Sequence, residues 1–194
     1  MNNECAYNSD VERAVATMRA GGVIAYPTDT VWGIGCDASC SEAVRRVFEI
    51  KRRADSKALI TLVSDEQMLE RYISHRVSDR CRDIVADSSR PVTVVYPGGV
   101  NVARELLADD GSIGIRIVRN GFASDLCRVL GGAVVSTSAN LSGSPTPAVY
   151  AEIQDEILSA VDYVALTGRD GCAPSRPSKV VKLLPDGQIQ ILRD

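Results

Sequence analysis

Gly21-Gly22-Val23-Ile24-Ala25-Tyr26-Pro27-Thr28-Asp29-Thr30-Val31-Trp32-Gly33-Ile34-Gly35 is the stretch on which the fold turns. Val23, Ile24, Ala25 and Tyr26 are a short apolar run bounded by a Gly pair and a Pro, the signature of a buried strand. A polar loop, Pro27-Thr28-Asp29-Thr30, follows, and the apolar character resumes through Val31 to Gly35. Upstream, Val11, Ala14, Val15 and Met18 share one helical face, which predicts a helix over residues 11–20 with Asp10 as its N-cap and the Gly pair as its end. Helix, buried strand and furnished loop in that order predict an α/β chain.

The same alternation continues downstream. Helices are expected over residues 41–51, with Ser41 as the cap, and over 65–72, 80–86, 124–130 and 149–160. Strands are expected over residues 58–63, 92–96, 113–117, 133–136 and 161–166, and residues 180–184 and 189–192 read as a terminal hairpin across Pro185-Asp186-Gly187. Along 113–117 the alternation places Arg116 on a face of its own. The order is not strictly βαβ, so the forecast is an α/β fold with a twisted mixed sheet and flanking helices. At 194 residues, without linker, repeat or low-complexity segment, residues 1–194 read as a single domain.

Composition narrows the function classes. Hydrophobic residues at 45% allow a real core, and aromatics at 5% make that core aliphatic. A net charge of −3 argues against a broadly basic nucleic-acid-binding surface. No basic-then-apolar leader opens the chain, and no apolar run approaches the ~20 residues needed to span a bilayer, so the expected compartment is the cytoplasm, with no membrane partner. Six cysteines (Cys5, Cys36, Cys40, Cys81, Cys127 and Cys172) include no Cys-x-x-Cys pair, and His75 is the single histidine. Zinc asks for about four N/S ligands at characteristic spacings, so free thiols in a reducing compartment are the expectation.

Three loops carry candidate chemistry, each with a plainer reading beside it. Pro27-Thr28-Asp29-Thr30 can hold a small polar ligand next to glycines that allow close backbone approach, or can be a turn in which Asp29 caps its own backbone. Lys51, Arg52, Arg53 and Lys57 can offset a helix dipole, or can bind a triphosphate. Ser136-Thr137-Ser138-Ala139-Asn140-Leu141-Ser142-Gly143 can satisfy a helix start, or can bind phosphate oxygens and Mg²⁺. No Gly-x-x-x-x-Gly-Lys-Ser/Thr stretch is present, so a nucleotide would not be held by a Walker loop. His75 lies in a polar segment unlike a triad partner, which disfavours a Ser nucleophile.

Taken together, these loops resemble the YrdC/TsaC family, the threonylcarbamoyl-AMP synthases. The resemblance runs from about Gly21 to Leu184 and rests on six motifs in the family order. They are the 21–35 stretch, Lys51-x-Arg53 with Lys57, Arg90-Pro91-Val92-Thr93, Gly114-Ile115-Arg116, the 136–143 stretch, and Pro177-Ser178-Lys179-Val180. The family form Pro-Thr-Glu-Thr-Val-Tyr-Gly reads Asp29 and Trp32 here, and Ser-Thr-Val near the end reads Ser178-Lys179-Val180.

The resemblance implies a YrdC-like fold around a concave, basic-lined cavity, and a reaction of L-threonine, bicarbonate and ATP that gives threonylcarbamoyl-AMP and pyrophosphate. It implies no acid or base residue; Lys51, Arg53, Ser138 and Asn140 would orient substrates and neutralise charge. ATP would be bound by Lys51, Arg53, Thr93, Ser138 and Asn140. Threonine would be bound by Thr30, Arg116, Lys57 and Ser178, with Arg116 on its carboxylate or on a phosphate. Mg²⁺ would arrive on the ATP phosphates, its protein ligands being undetermined. The chain resembles the short family form, whose product goes to a separate transferase complex acting on adenosine 37 of tRNA, so a tRNA contact is a further expectation. The competing reading is a non-catalytic module of the same fold that binds double-stranded RNA or tRNA.

Overall fold

The computed structural model describes the chain except residues 1, 53–58, 75–81, 83–84, 86–87, 89, 172–176 and 185–186. Arg53, Lys57, His75, Cys81, Cys172, Pro185, Asp186 and most of the helix expected over 80–86 therefore lie outside the described residues.

The first helix, α1 (Asn2–Arg19), starts a full two turns before the expected boundary. Its buried face is the anticipated Val11, Ala14, Val15 and Met18. Asp10 is no cap. It is 2% exposed, and its carboxylate accepts from the Tyr163 hydroxyl at 2.6 Å, Leu166 N at 3.0 Å and Thr167 N at 2.7 Å. A side chain committed to partners some 155 residues away cannot also close its own helix.

Strands β1 (Ile24–Pro27) and β2 (Trp32–Gly35) pair antiparallel around the polar loop, with Ile24 opposite Gly35. Helix α2 (Ser41–Ile50) buries Ala43, Val44, Val47 and Phe48. Cys40, rather than Ser41, flanks its start, and no side chain caps it; burial of its apolar face is sufficient. Next come β3 (Ile60–Val63), a single turn α3 (Glu66–Leu69) capped by Asp65, β4 (Val92–Tyr96), β5 (Ile113–Ile117), α4 (Phe122–Leu130) and β6 (Val134–Ser138).

The helix expected over 149–160 is interrupted. A 3-10 turn at Tyr150–Glu152 gives way to extended backbone at Ile153 and Gln154, and then to α5 (Asp155–Ala160). The Gln154 amide oxygen accepts from Leu141 N at 3.1 Å, and the Tyr150 ring packs on Trp32 at 5.2 Å. These tertiary contacts outweigh local helix propensity. The strand expected over 161–166 shrinks to β7 (Tyr163–Val164), because Leu166 and Thr167 turn their N–H groups to Asp10 instead of to a ladder. The terminal hairpin, β8 (Lys179–Leu183) with β9 (Ile189–Arg193), forms as expected.

The nine strands among the described residues make one mixed sheet in the order β7-β1-β2-β6-β3-β5-β4-β8-β9. Alternation along the strands decides which face does what. On β5, Ile113 and Ile115 enter the core, whereas Gly114 and Arg116 face a cavity. On β4, Val92, Val94 and Tyr96 are core, and Thr93 and Val95 face the same cavity. Register aligns Ser136, Ile60, Gly114, Val95 and Lys182 across five neighbouring strands, and all five residues line that cavity. On the opposite face α1 packs on α4, with the Tyr7 ring edge-on to Phe122 at 5.9 Å and the Tyr7 hydroxyl donating to Asp125 at 2.7 Å. No described helix is long and apolar enough to cross a membrane.

Asp10 makes the α1 contact pH-dependent. Burial by itself would raise its pKa, but the bonds from Thr167, Tyr163 and Leu166 outweigh burial and hold it below the ordinary carboxylate value. Its stabilisation is therefore complete above the unfolded value of about 3.9 and is lost as pH falls through the lower folded value. Asp10→Asn is expected to cost about 1–3 kcal/mol in urea unfolding at pH 7. The gap to the unsubstituted protein should narrow below pH ~3.9; a gap independent of pH would refute the assignment.

Candidate functional site

The concave face encloses a cavity of about 490 Å³. Its floor is the sheet, its near wall is the turn between β1 and β2, and its far rim is the β8–β9 hairpin.

The near wall is shaped by Thr28. Its hydroxyl accepts from Thr30 N at 3.1 Å and Val31 N at 3.2 Å, donates to Val31 O at 2.7 Å, and lies 3.0 Å from the Thr30 hydroxyl. This is a side-chain-organised turn. Thr30, 4% exposed, presents its hydroxyl at the cavity. Asp29 is not capping its own backbone: Oδ1 stands 3.0 Å from Nη2 of Arg116. Gly33 supplies close approach, since a Cβ there would come within 3.1 Å of Thr137 O and 3.3 Å of the Ser136 hydroxyl.

The floor carries Arg116, 4% exposed, with Thr93 and Ser178. The Thr93 and Ser178 hydroxyls are 2.8 Å apart and buried. Arg193, from β9, donates through Nε and Nη2 to Ser178 O at 3.2 and 2.9 Å. Burial first, then the charges of Arg116 and Arg90, lowers the pKa of Arg193, yet guanidinium stays charged in proteins. Lys182, also in the lining, donates to Asp110 at 2.7 Å. That contact, with the Ser112 hydrogen bonds, holds Asp110 well below the ordinary carboxylate range. Among the described lining residues there are three cations and no carboxylate.

The 136–143 loop forms the third wall, and Ser136, Thr137 and Ser138 line the cavity. Behind them Lys51, 2% exposed at the end of α2, donates to Ser138 O and Asn140 O, each at 2.5 Å. The Asn140 amide nitrogen donates to Leu141 O at 2.9 Å and Ser144 O at 2.7 Å. No helix starts at this loop, so it does not serve a helix start: its hydroxyls line a ligand-sized space, and its amide and the nearby ammonium stitch its own backbone together.

Of the residues singled out from sequence, the fold brings Thr30, Thr93, Arg116, Ser138 and Ser178 around one cavity. Lys51 and Asn140 stand one layer behind Ser138 and do not line it. Arg53 and Lys57 lie outside the described residues. Sequence reading missed Ser112, Lys182 and Arg193. The alternation of Ser178, Val180 and Lys182 against Val181 and Leu183 was a usable signal for Lys182, once one face of β8 was known to be wet. Arg193 had no comparable signal.

Among the described residues, no group of three or more His, Cys, Asp or Glu is placed to hold an ion. Cys36 and Cys127 are buried. Burial pushes the Cys127 thiol up to about 12 and raises that of Cys36 as well, which makes both poor nucleophiles at neutral pH.

Comparison with known proteins gives a consistent result. The Sua5/YciO/YrdC family model, described as "Telomere recombination", matches residues 16–194. A threonylcarbamoyl-AMP synthase from Stenotrophomonas maltophilia (strain K279a) is 37% identical over 163 residues, which is 83% of this chain and 87% of that protein. The crystal structure of E. coli YciO superposes with a TM-score of 0.81 at 29% identity, over 95% of this chain and 88% of that one. P. abyssi Sua5, whose structure was solved complexed with L-threonine, shares the fold with a TM-score of 0.83 at 24% identity, over 94% of this chain and 53% of that one.

Proposed function

The chain belongs to the Sua5/YciO/YrdC family and is an enzyme of the nucleotidyltransferase type; we propose that it converts L-threonine, bicarbonate and ATP into threonylcarbamoyl-AMP and pyrophosphate. The observation that supports this reading is the cavity: a floor of paired hydroxyls with Arg116, Lys182 and Arg193 and no carboxylate among the described lining residues, which suits small anionic substrates.

L-threonine and bicarbonate combine to N-carboxythreonine, with loss of water. A carboxylate oxygen of that compound attacks the α-phosphorus of ATP, the bond to the bridging oxygen breaks, and pyrophosphate leaves with its electron pair. The protein needs to orient the reactants and neutralise charge. Thr30, Arg116 and Ser178 are the threonine side, in keeping with the threonine held by P. abyssi Sua5. Thr93 and Ser138 face the nucleotide, and Arg193 adds a guanidinium at the rim. Lys51 and Asn140 keep the Ser138 wall in shape beneath the phosphates, and Arg53 and Lys57 remain expectations from the motif. With hydroxyls such as those of Thr30, Ser136 and Ser138 and no carboxylate among the described lining residues, a Mg²⁺ ion would be held by the ATP phosphates and water rather than by the protein, and would neutralise phosphate charge. The product would serve a separate transferase that modifies adenosine 37 of tRNA.

The test is pyrophosphate release from ATP and Mg²⁺ with mass detection of the adenylate. Release that requires both L-threonine and bicarbonate supports the reading. Absence of release by folded, ATP-binding protein would overturn it. L-serine, one methyl shorter, is expected to be activated with kcat/KM lower by about 10- to 200-fold. Complete inactivity with saturating serine would contradict a pocket that tells the two apart by packing alone.

A further inference from the structure

Strand pairing places Lys182 at the end of the cavity remote from the Ser138 wall. Ser136, Ile60, Gly114, Val95 and Lys182 are aligned across five strands, so four interstrand steps separate Lys182 from Ser136, about 19 Å along the sheet. Arg116 is two strands and two residues away, about 12 Å. Gly114, Val95 and Val180 lie between and line the cavity. A Cβ on Gly114 would meet Thr93 Cγ2 at 3.6 Å and Val95 Cγ2 at 4.0 Å. This part of the floor is therefore flat and methyl-lined, a surface that suits the face of an aromatic ring.

Beyond it, one carboxylate sets the hydrogen-bond polarity. Asp110 stands in a tight turn, closed by Gly111 N on Ala108 O at 2.9 Å. It accepts from Lys182 Nζ at 2.7 Å and from Ser112 N at 3.0 Å, and the Ser112 hydroxyl donates to it as well. Lys182 and Ser112 both line the cavity. The Lys182 ammonium has N–H groups to spare and can only donate, whereas Ser112, its proton committed, can only accept.

We propose that Lys182 and Ser112 read the outer edge of adenine, with Asp110 as the positioning residue that holds both. Lys182 Nζ donates to the ring nitrogen N1, and the Ser112 hydroxyl accepts from the C6 amino group. This recognition rests on the reading of ATP as substrate, with its phosphates at the Ser138 wall and threonine at Arg116. The nucleoside is then the part of the substrates left to cross the flat floor. N1 and the C6 amino group lie on the edge of the base farthest from the ribose, so they are the atoms that reach the far end. Hypoxanthine inverts the pattern, with an oxygen at C6 and a proton on N1.

The test is calorimetric binding of ATP, ITP and 1-deaza-ATP, in which a C–H replaces N1, to the full chain. The unsubstituted protein is expected to bind ATP about tenfold tighter than 1-deaza-ATP, the scale of one charge-assisted hydrogen bond, and to bind ITP more weakly than ATP. Lys182→Met should lose that factor of about ten for ATP and hold 1-deaza-ATP within about twofold, because that ligand offers the ammonium no acceptor. Asp110→Asn should weaken ATP in the same selective way, raising its KM while kcat, the KM for threonine and the melting temperature hold. Equal weakening of ATP and 1-deaza-ATP by Lys182→Met would overturn the proposal, since Lys182 would then act through its charge alone. So would no weakening of either, or equal binding of ATP and ITP by the unsubstituted protein. Selective weakening without pyrophosphate release would sink the synthase reading and leave the adenine contact standing. Failure of the unsubstituted protein to bind ATP would sink both.

Discussion

Arg116→Ala is expected to lower kcat/KM for threonine-dependent pyrophosphate release by roughly thirty- to several-thousand-fold. Removing one member of a buried charge interaction costs about 2–5 kcal/mol, and each 1.4 kcal/mol is about tenfold in rate. Arg116 is 4% exposed and lines the cavity from the central strand β5. Its loss removes the buried cation of the floor and leaves Asp29 without its countercharge. Folding should suffer less, because the truncated side chain opens into space that is already empty. Arg116→Lys should recover little: an ammonium keeps the charge but cannot present a fork. Steady-state kinetics alongside thermal melting decides the matter. Activity and stability falling in proportion would make Arg116 a structural residue.

The second large effect lies away from the cavity chemistry. Gly35→Ala is expected to destabilise the protein by about 3 kcal/mol or more, at or beyond the upper end of ordinary overpacking. That corresponds to a fall in melting temperature of about 6–12 °C for a chain of this size. A Cβ at Gly35 would sit 1.7 Å from the Val135 carbonyl oxygen and 3.2 Å from the Tyr26 hydroxyl. The obstacle is backbone, so no rotamer change relieves it. Nor can the strands part cheaply: Val135 N donates to Cys36 O at 2.8 Å, and the Tyr26 hydroxyl donates to Val135 O at 3.1 Å. Gly33→Ala is the internal control. Its closest approach would be 3.1 Å, a fit needing shifts of tenths of an ångström, so it should melt well above Gly35→Ala. Equal melting temperatures for the two variants would refute the argument from close approach.

Local chemistry made much of the architecture legible. Residues 92–96 and 113–117 read as strands with the bounds the structure shows, because a run of β-branched residues between turn signals has few other uses. The terminal hairpin and the buried face of α1 were readable for the same reason: periodicity is written into the chain. The polar loops after β1 and β6 announced themselves by their hydroxyls, which need partners when they follow apolar strands. Where reading failed, a distant partner had intervened. Asp10 looks like a cap until Tyr163, Leu166 and Thr167 are placed beside it. Residues 149–160 look like one helix until Leu141 N takes the Gln154 side chain.

What the chain determined by itself was therefore the inventory: strand and helix periodicity, a single mixed α/β domain, and the motifs whose order matches one family. Tertiary structure decided the assembly of the site. Strand order carries Thr93, Arg116 and Ser178 next to one another from positions up to 85 residues apart. Alternation then assigns them to the wet face rather than the core. The same pairing brings in Arg193, which no local pattern marked, and Lys182, whose alternation on β8 becomes readable only once that face is known to be wet; it also sets Lys51 behind the Ser138 wall instead of in the cavity. Register and strand order are non-local quantities, fixed by cross-strand hydrogen bonds and by which faces can be buried together, so neighbours in sequence do not encode them.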